Sequence, residues 1–146
     1  MAGVAGAMKS PWLPLAALLV GLAIAGAAAA VALPASVAPV SIVADQIVGL
    51  AYIGAGAVAW RRRPDNRIGP VMLLAGMTWY IASFQVSDIP AVAAVSFGFA
   101  WVNNMVAAYL LLSYPEGVLF SRAARALFGF IVANTVKTVL MGRGAQ

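Results

Sequence analysis

Five long apolar runs, separated by short breaks of polar, proline or charged residues, organise this chain. The first, Pro11 to Leu33, follows Lys9 and ends at Pro34. It matches the ~20 residues that a membrane-spanning helix needs, and a proline just beyond it suits a helix end. The second, about Ile42 to Trp60, carries Ala51, Ala55 and Ala59 at every fourth position. That spacing puts the three alanines on one helical face, where a second helix can approach closely, although lipid would meet such a face equally well. The third, Pro70 to Val86, has Trp79 and Tyr80 in its interior and Gln85 near its end. The tight link Ser87-Asp88-Ile89-Pro90 predicts an antiparallel hairpin between it and the fourth run, about Ala91 to Tyr114, which Asn103 and Asn104 interrupt. Tyr114-Pro115-Glu116-Gly117 then breaks the helix, because a residue before proline is driven out of helical geometry and glycine frees the turn. The last run, Ala123 to Met141, includes Asn134, Thr135 and Lys137. It is the weakest span, since a lysine inside the bilayer costs roughly 2.5–3.5 kcal/mol unless its stem snorkels to the interface.

These runs predict an all-α integral membrane protein, one domain built as a bundle of about five transmembrane helices. Composition agrees. Hydrophobic residues make up 64% of the 146, against roughly 45–50% in soluble domains, and mean hydropathy is +0.97. A secretory signal peptide is the competing reading of the first run, because Lys9, the apolar stretch and the small residues Ala27 to Ala32 imitate its three regions. Several spans would remain after cleavage, so an anchored first helix is the preferred reading.

Charge orients the bundle. Arg61-Arg62-Arg63-Pro64-Asp65-Asn66-Arg67 holds four of the nine basic residues. With this loop in the cytoplasm, counting spans brings Lys9, the N-terminus, Arg122 and Arg125 to the same side. The opposite links, Pro34 to Ser41 and Ser87 to Pro90, contain no Lys or Arg, and Asp45 and Asp88 lie in or beside them. Only Lys137 and Arg143 fall outside. Excess positive charge on cytoplasmic loops predicts this asymmetry, with the N-terminus cytoplasmic. Arg61, Arg62, Arg63, Arg67, Arg122 and Arg125 are then orientation signals and contacts for anionic lipid. The net charge of +5 also raises nucleic acid as a partner. The basic residues sit in short clusters between apolar segments, however, and a phosphate-binding face needs an extended solvated basic surface, so no such partner is expected.

Catalytic material is scarce. With no Cys and no His, metal ligands reduce to four scattered carboxylates. No glycine-rich phosphate loop, nucleophile elbow or zinc signature is present, so neither enzymatic activity nor a cofactor is expected. The intramembrane polar candidates are Gln85, Asn103 and Asn104. Their amides can join helices through hydrogen bonds of about 0.6–2 kcal/mol, or they can line a ligand or solvent cavity. Asp45, at the outer start of the second span, fits a plain helix N-terminal residue near water better than a proton or cation site.

Two segments carry a resemblance. Ala59-Trp60-Arg61-Arg62-Arg63-Pro64-Asp65-Asn66-Arg67-Ile68-Gly69-Pro70, with Met72-Leu73-Leu74-Ala75-Gly76 after it, resembles the membrane-embedded N-terminal region of bacterial sensor histidine kinases from high-GC organisms. So does Leu110-Leu111-Leu112-Ser113-Tyr114-Pro115-Glu116-Gly117, followed by Ser121-Arg122-Ala123-Ala124-Arg125-Ala126-Leu127. In that family an arginine run precedes Pro, Asn, Arg and Gly, and an aromatic-Pro-x-Gly-Arg-Leu turn closes a cytoplasmic helix end. Val118 stands here where that turn has Arg. The resemblance implies a signal-input domain of the bacterial cytoplasmic membrane, normally followed by a hairpin with the phospho-accepting His and an ATP-binding domain. Lacking His, the chain is similar to a truncated or free-standing input module without catalysis. Its partners are then the bilayer, a second copy or a separate kinase. The alternative is a small oligomeric transporter or channel with Asp45, Gln85, Asn103 and Asn104 along the path, although no acidic residue lies near the midplane.

Overall fold

The computed structural model describes residues 12–35, 37–119 and 121–142. They form five α-helices: α1 (Trp12–Ala32), α2 (Pro39–Arg62), α3 (Ile68–Ser83), α4 (Pro90–Ser113) and α5 (Arg122–Gly142). A 3-10 turn, Phe84–Val86, prolongs α3, and the described residues contain no strand. Each apolar run has become one helix. Lys9, Pro11 and Arg143, which entered the span and charge assignments, lie outside the described residues, as does the N-terminus.

Prolines set two of the helix starts. Pro39 and Pro90 open α2 and α4, where the missing N–H is one the helix cannot use and the fixed φ already suits it. The second helix therefore begins before Ile42, and Asp45 stands in its second turn rather than at its start. Tyr114, extended at φ −67° and ψ 141°, ends α4, as its place before Pro115 requires.

Four helices, α1, α2, α4 and α5, are long and apolar enough to cross a membrane, the pattern of a multi-pass membrane protein. By length the weak member is α3 and not the last helix. Its 16 residues reach about 24 Å. The 3-10 turn adds about 6 Å, bringing the pair near the ~30 Å of a hydrocarbon core. What α3 lacks in length it makes up in position. It packs against α1, α2 and α4, and Ile68, Gly69, Leu73, Ala75, Gly76, Thr78 and Tyr80 are all buried. By contrast, α5 touches only α4 among the described helices.

Glycines allow the tightest of these contacts. Gly49 and Gly56 on α2, and Gly69 and Gly76 on α3, are each seven residues apart, close to two helical turns, so each pair lies on one face. Gly49 lies under the Tyr80 ring, Gly56 against the backbone of Leu73 and Gly69, and Gly76 against Ile53 and the Gly49 carbonyl. The close-approach face of α2 is thus Gly49, Ile53 and Gly56. Ala51 and Ala55 are exposed, so the alanine pattern meets the surroundings. Ile53, fully buried, also presses against Gly21 of α1. Together with Ala25, Ala28, Leu73 and Tyr80 it forms the apolar core.

The Tyr80 hydroxyl donates to the Gln46 carbonyl at 2.8 Å, and Gln46 Nε2 donates to the Ala25 carbonyl at 3.4 Å. These bonds run α3 to α2 to α1. Tyr80→Phe keeps the ring over Gly49 and removes one bond, so it is expected to lower stability by about 0.6–2 kcal/mol, read by steric trapping in bicelles. A change outside that range would mean that the hydroxyl does not carry the contact.

Candidate functional site

The two ends of the bundle differ in chemistry. At the first, Asn66 ties two distant turns together. Its Oδ1 accepts the Ile68 N–H at 2.9 Å, satisfying an N-terminal donor of α3 that the helix leaves free. Its Nδ2 donates to the Pro115 carbonyl at 3.0 Å, across 49 positions of sequence. Gly117 takes a φ of +76°, a conformation open to glycine at little cost. Its N–H donates to the Ser113 carbonyl at 2.8 Å, and its carbonyl accepts the Tyr109 hydroxyl at 2.8 Å. A Cβ at Gly117 would lie 2.9 Å from Asn66 Oδ1 and 3.1 Å from the Ile68 nitrogen. The turns on either side of Asn66 and Gly117, distant in sequence, therefore meet in space, glycine of one against asparagine of the other.

Arg61, Arg62, Arg63 and Arg67 surround this junction, and Arg122 and Arg125 open α5 beside it; all six are exposed. The contacts Gly21 with Ile53 and Ala25 with Gln46 make α1 antiparallel to α2, so the Trp12 end of α1 points the same way. Arg62, Arg63, Asn66, Tyr114 and Pro115 line a recess of about 210 Å³. Near it, Trp60 Nε1 and Ser113 Oγ are buried without a hydrogen-bond partner.

The second end holds a cavity of about 500 Å³ that brings together Asp45, Gln85, Asn103 and Asn104. Each element contributes at helical spacing: Ile42 and Asp45 from α2, Trp79, Ala82 and Ser83 from α3, and Ala100, Asn103 and Asn104 from α4. The 3-10 turn supplies Gln85 and Val86. Asn103 has a second task. Its Oδ1 accepts the hydroxyl of Thr78 at 3.0 Å, and Thr78 is only 2% exposed, so this bond also joins α3 to α4.

Among the described residues Asp45 is the one charged residue in the lining. Its place in the second turn of α2 makes it a wall of the cavity and not simply a helix N-terminal residue. Trp79, whose Nε1 is buried without a partner, lines the same space. Nothing in the sequence singled out Trp79 as a lining residue, or Thr78 as the support of Asn103. The only available signal was the turn-by-turn recurrence of Trp79, Ser83 and Val86. Among the described residues no group of three His, Cys, Asp or Glu could hold a metal ion. The arrangement can bind and orient a molecule through amide, carboxylate and indole groups.

Comparison with protein-family models, curated proteins and solved structures gives no match for this chain.

Proposed function

We propose that the chain is a non-catalytic signal-input module of a bacterial cytoplasmic membrane, with its arginine end and N-terminus in the cytoplasm. The observation that carries this reading is the unequal attachment of the helices. α1 to α4 share a core centred on α3, whereas α5 is joined to them by α4 alone and by the turn that Asn66 holds. A ring contact between Tyr109 and Phe128, at 5.7 Å and 71°, links α4 to α5 close to that turn. A body with a polar cavity at one end and a singly held helix at the other suits transmission. Occupying the cavity changes the packing of α3 against α4, and α5 follows α4. The resemblance of the two junction segments to kinase input regions supports the same reading, as does the clustering of basic residues at that end. The module acts on a second copy of itself or on a separate kinase.

The cavity that brings the four polar residues together favours a transporter as the second reading. The apolar core of Ala25, Ala28, Ile53, Leu73 and Tyr80 fills the middle of the helix bundle, and a path through one copy would have to cross it.

Two measurements test the proposal in a chain without native cysteine. Single cysteines at Glu116 and Asp88, both exposed, should label from opposite faces, Glu116 from the cytoplasm. Labelling of both from one face defeats the orientation. Nitroxide pairs should then show α5 moving against a fixed body. Asn66→Ala is expected to broaden or shift the Ala55–Ala133 distance distribution and to leave Ala55–Ala94 unchanged. An unaltered Ala55–Ala133 distribution would remove the output helix and with it the input-module reading.

A further inference from the structure

We infer that the cavity opposite the arginine end is a binding site for an organic cation with an apolar group, a class that includes primary and quaternary amines. The inference deepens the signal-input reading by naming the class of input, and it rests on that reading only for the role of the bound molecule.

Charge narrows the ligand first. Among the described residues the single charged side chain in the lining is Asp45, and no Lys or Arg lines the space. The surroundings have the same sign: Asp88 is exposed at this end of the bundle, and the described part of the links at this end holds no basic residue. Lys137, on α5, is not part of the cavity wall. An anion would enter against this field, whereas a cation is drawn in by it. The neutral polar groups fit as well. Gln85, Asn103 and Asn104 carry amide oxygens that accept from an ammonium N–H, and Trp79, also in the lining, has the ring type that attracts alkylammonium groups most strongly.

A metal ion is the wrong occupant. Hard cations need several carboxylate or carbonyl oxygens closing on one point, and the described residues contain no cluster of three acidic, His or Cys groups. The cavity is also too large for a bare ion: about 500 Å³ lies within the roughly 300–1,000 Å³ usual for small-molecule sites. Ile42, Val86 and Ala100 give it an apolar wall, which a hydrated ion would leave unused and a hydrocarbon group would cover. A wall that combines a carboxylate, amides and an indole with aliphatic carbon describes a molecule with a positive head and an apolar body.

The test uses the full chain in nanodiscs of uncharged phosphatidylcholine, with benzyltrimethylammonium as the probe and neopentylbenzene as its uncharged isostere, followed by isothermal titration. Saturable binding of one cation per chain is expected, with the isostere failing to compete. Asp45→Asn should weaken binding about tenfold or more, because the one opposite charge in the described lining is lost, while Asp45→Glu should largely keep it. The Ala55–Ala94 distance serves as a check that the Asp45→Asn body is intact. If that variant fails to fold, the comparison of Asp45→Glu with Trp79→Leu takes its place, loss being expected only in the second. Absence of saturable binding, equal competition by the isostere, or unchanged affinity in Asp45→Asn would each overturn the cation site. Signalling is scored separately by the Ala55–Ala133 pair with probe added. Binding without movement of α5 keeps the site and removes the input role. Failure to bind removes the site, and the input role then depends on the Asn66→Ala distances.

Discussion

Gly56→Leu is expected to prevent α2 and α3 from packing in the native arrangement, and Gly56→Ala to cost about 1–3 kcal/mol of stability, the range for forcing extra carbon into a filled core. The reason is what stands opposite. A Cβ at position 56 would lie 2.7 Å from the Leu73 nitrogen and 2.9 Å from the Gly69 carbonyl oxygen. Both are backbone atoms of α3, so no rotamer change relieves the contact and the two helices must separate. Gly54, two residues away on the same helix, has nothing within 4 Å of its would-be Cβ. Gly54→Ala should therefore be neutral, or stabilising by up to about 1 kcal/mol through helix propensity. Steric trapping of both variants in the same bicelles makes the comparison. Equal losses at the two positions would show that the seam between α2 and α3 is not where these glycines place it.

The second large effect is expected at Gly117. A side chain there would be held at φ +76°, which costs a non-glycine residue about 1–2 kcal/mol, and its Cβ would press on Asn66 Oδ1 at 2.9 Å. Gly117→Val should therefore destabilise more than Asn66→Ala, which gives up two hydrogen bonds of about 0.5–1.5 kcal/mol each without straining the backbone. Both variants open the same junction, so both should alter the Ala55–Ala133 distances. The valine variant should in addition unfold at a lower SDS fraction than the asparagine variant. The reverse order of stability would mean that the turn relaxes to admit the side chain and that glycine is not required there.

Local features were legible in the sequence and pairings were not. Each helix follows from one apolar run, and Pro115 and Pro90 mark their boundaries, because backbone restrictions act within a residue or two. Pro39 shows the limit: proline both breaks a helix and begins one, so the start of α2 was misjudged by one turn and Asp45 with it. The alanine repeat of α2 has the correct period for a packing face, yet it points outward. One chain cannot reveal which of two small-residue stripes meets a partner, since Gly49 and Gly56 acquire their meaning only from Tyr80, Leu73 and Gly69. Gln85, Asn103 and Asn104 were conspicuous as polar residues within apolar runs. That they share one cavity with Asp45 depends on the antiparallel order of three helices. Trp79 carried no such signal, because an indole in an apolar segment is unremarkable until its N–H proves to be buried without a partner.

A helix with a single neighbour also sets the order in which the molecule comes apart. Among the described residues, only the interface with α4 and the turn at Gly117 need to open to detach α5, whereas removing α3 would expose three interfaces at once. The two helices therefore stand at opposite ends of the ladder of local opening energies: α3 opens only with the whole bundle, and α5 belongs to a subunit that opens by itself at lower cost. This makes the last helix the first element to leave, while the glycine seam between α2 and α3 stays closed.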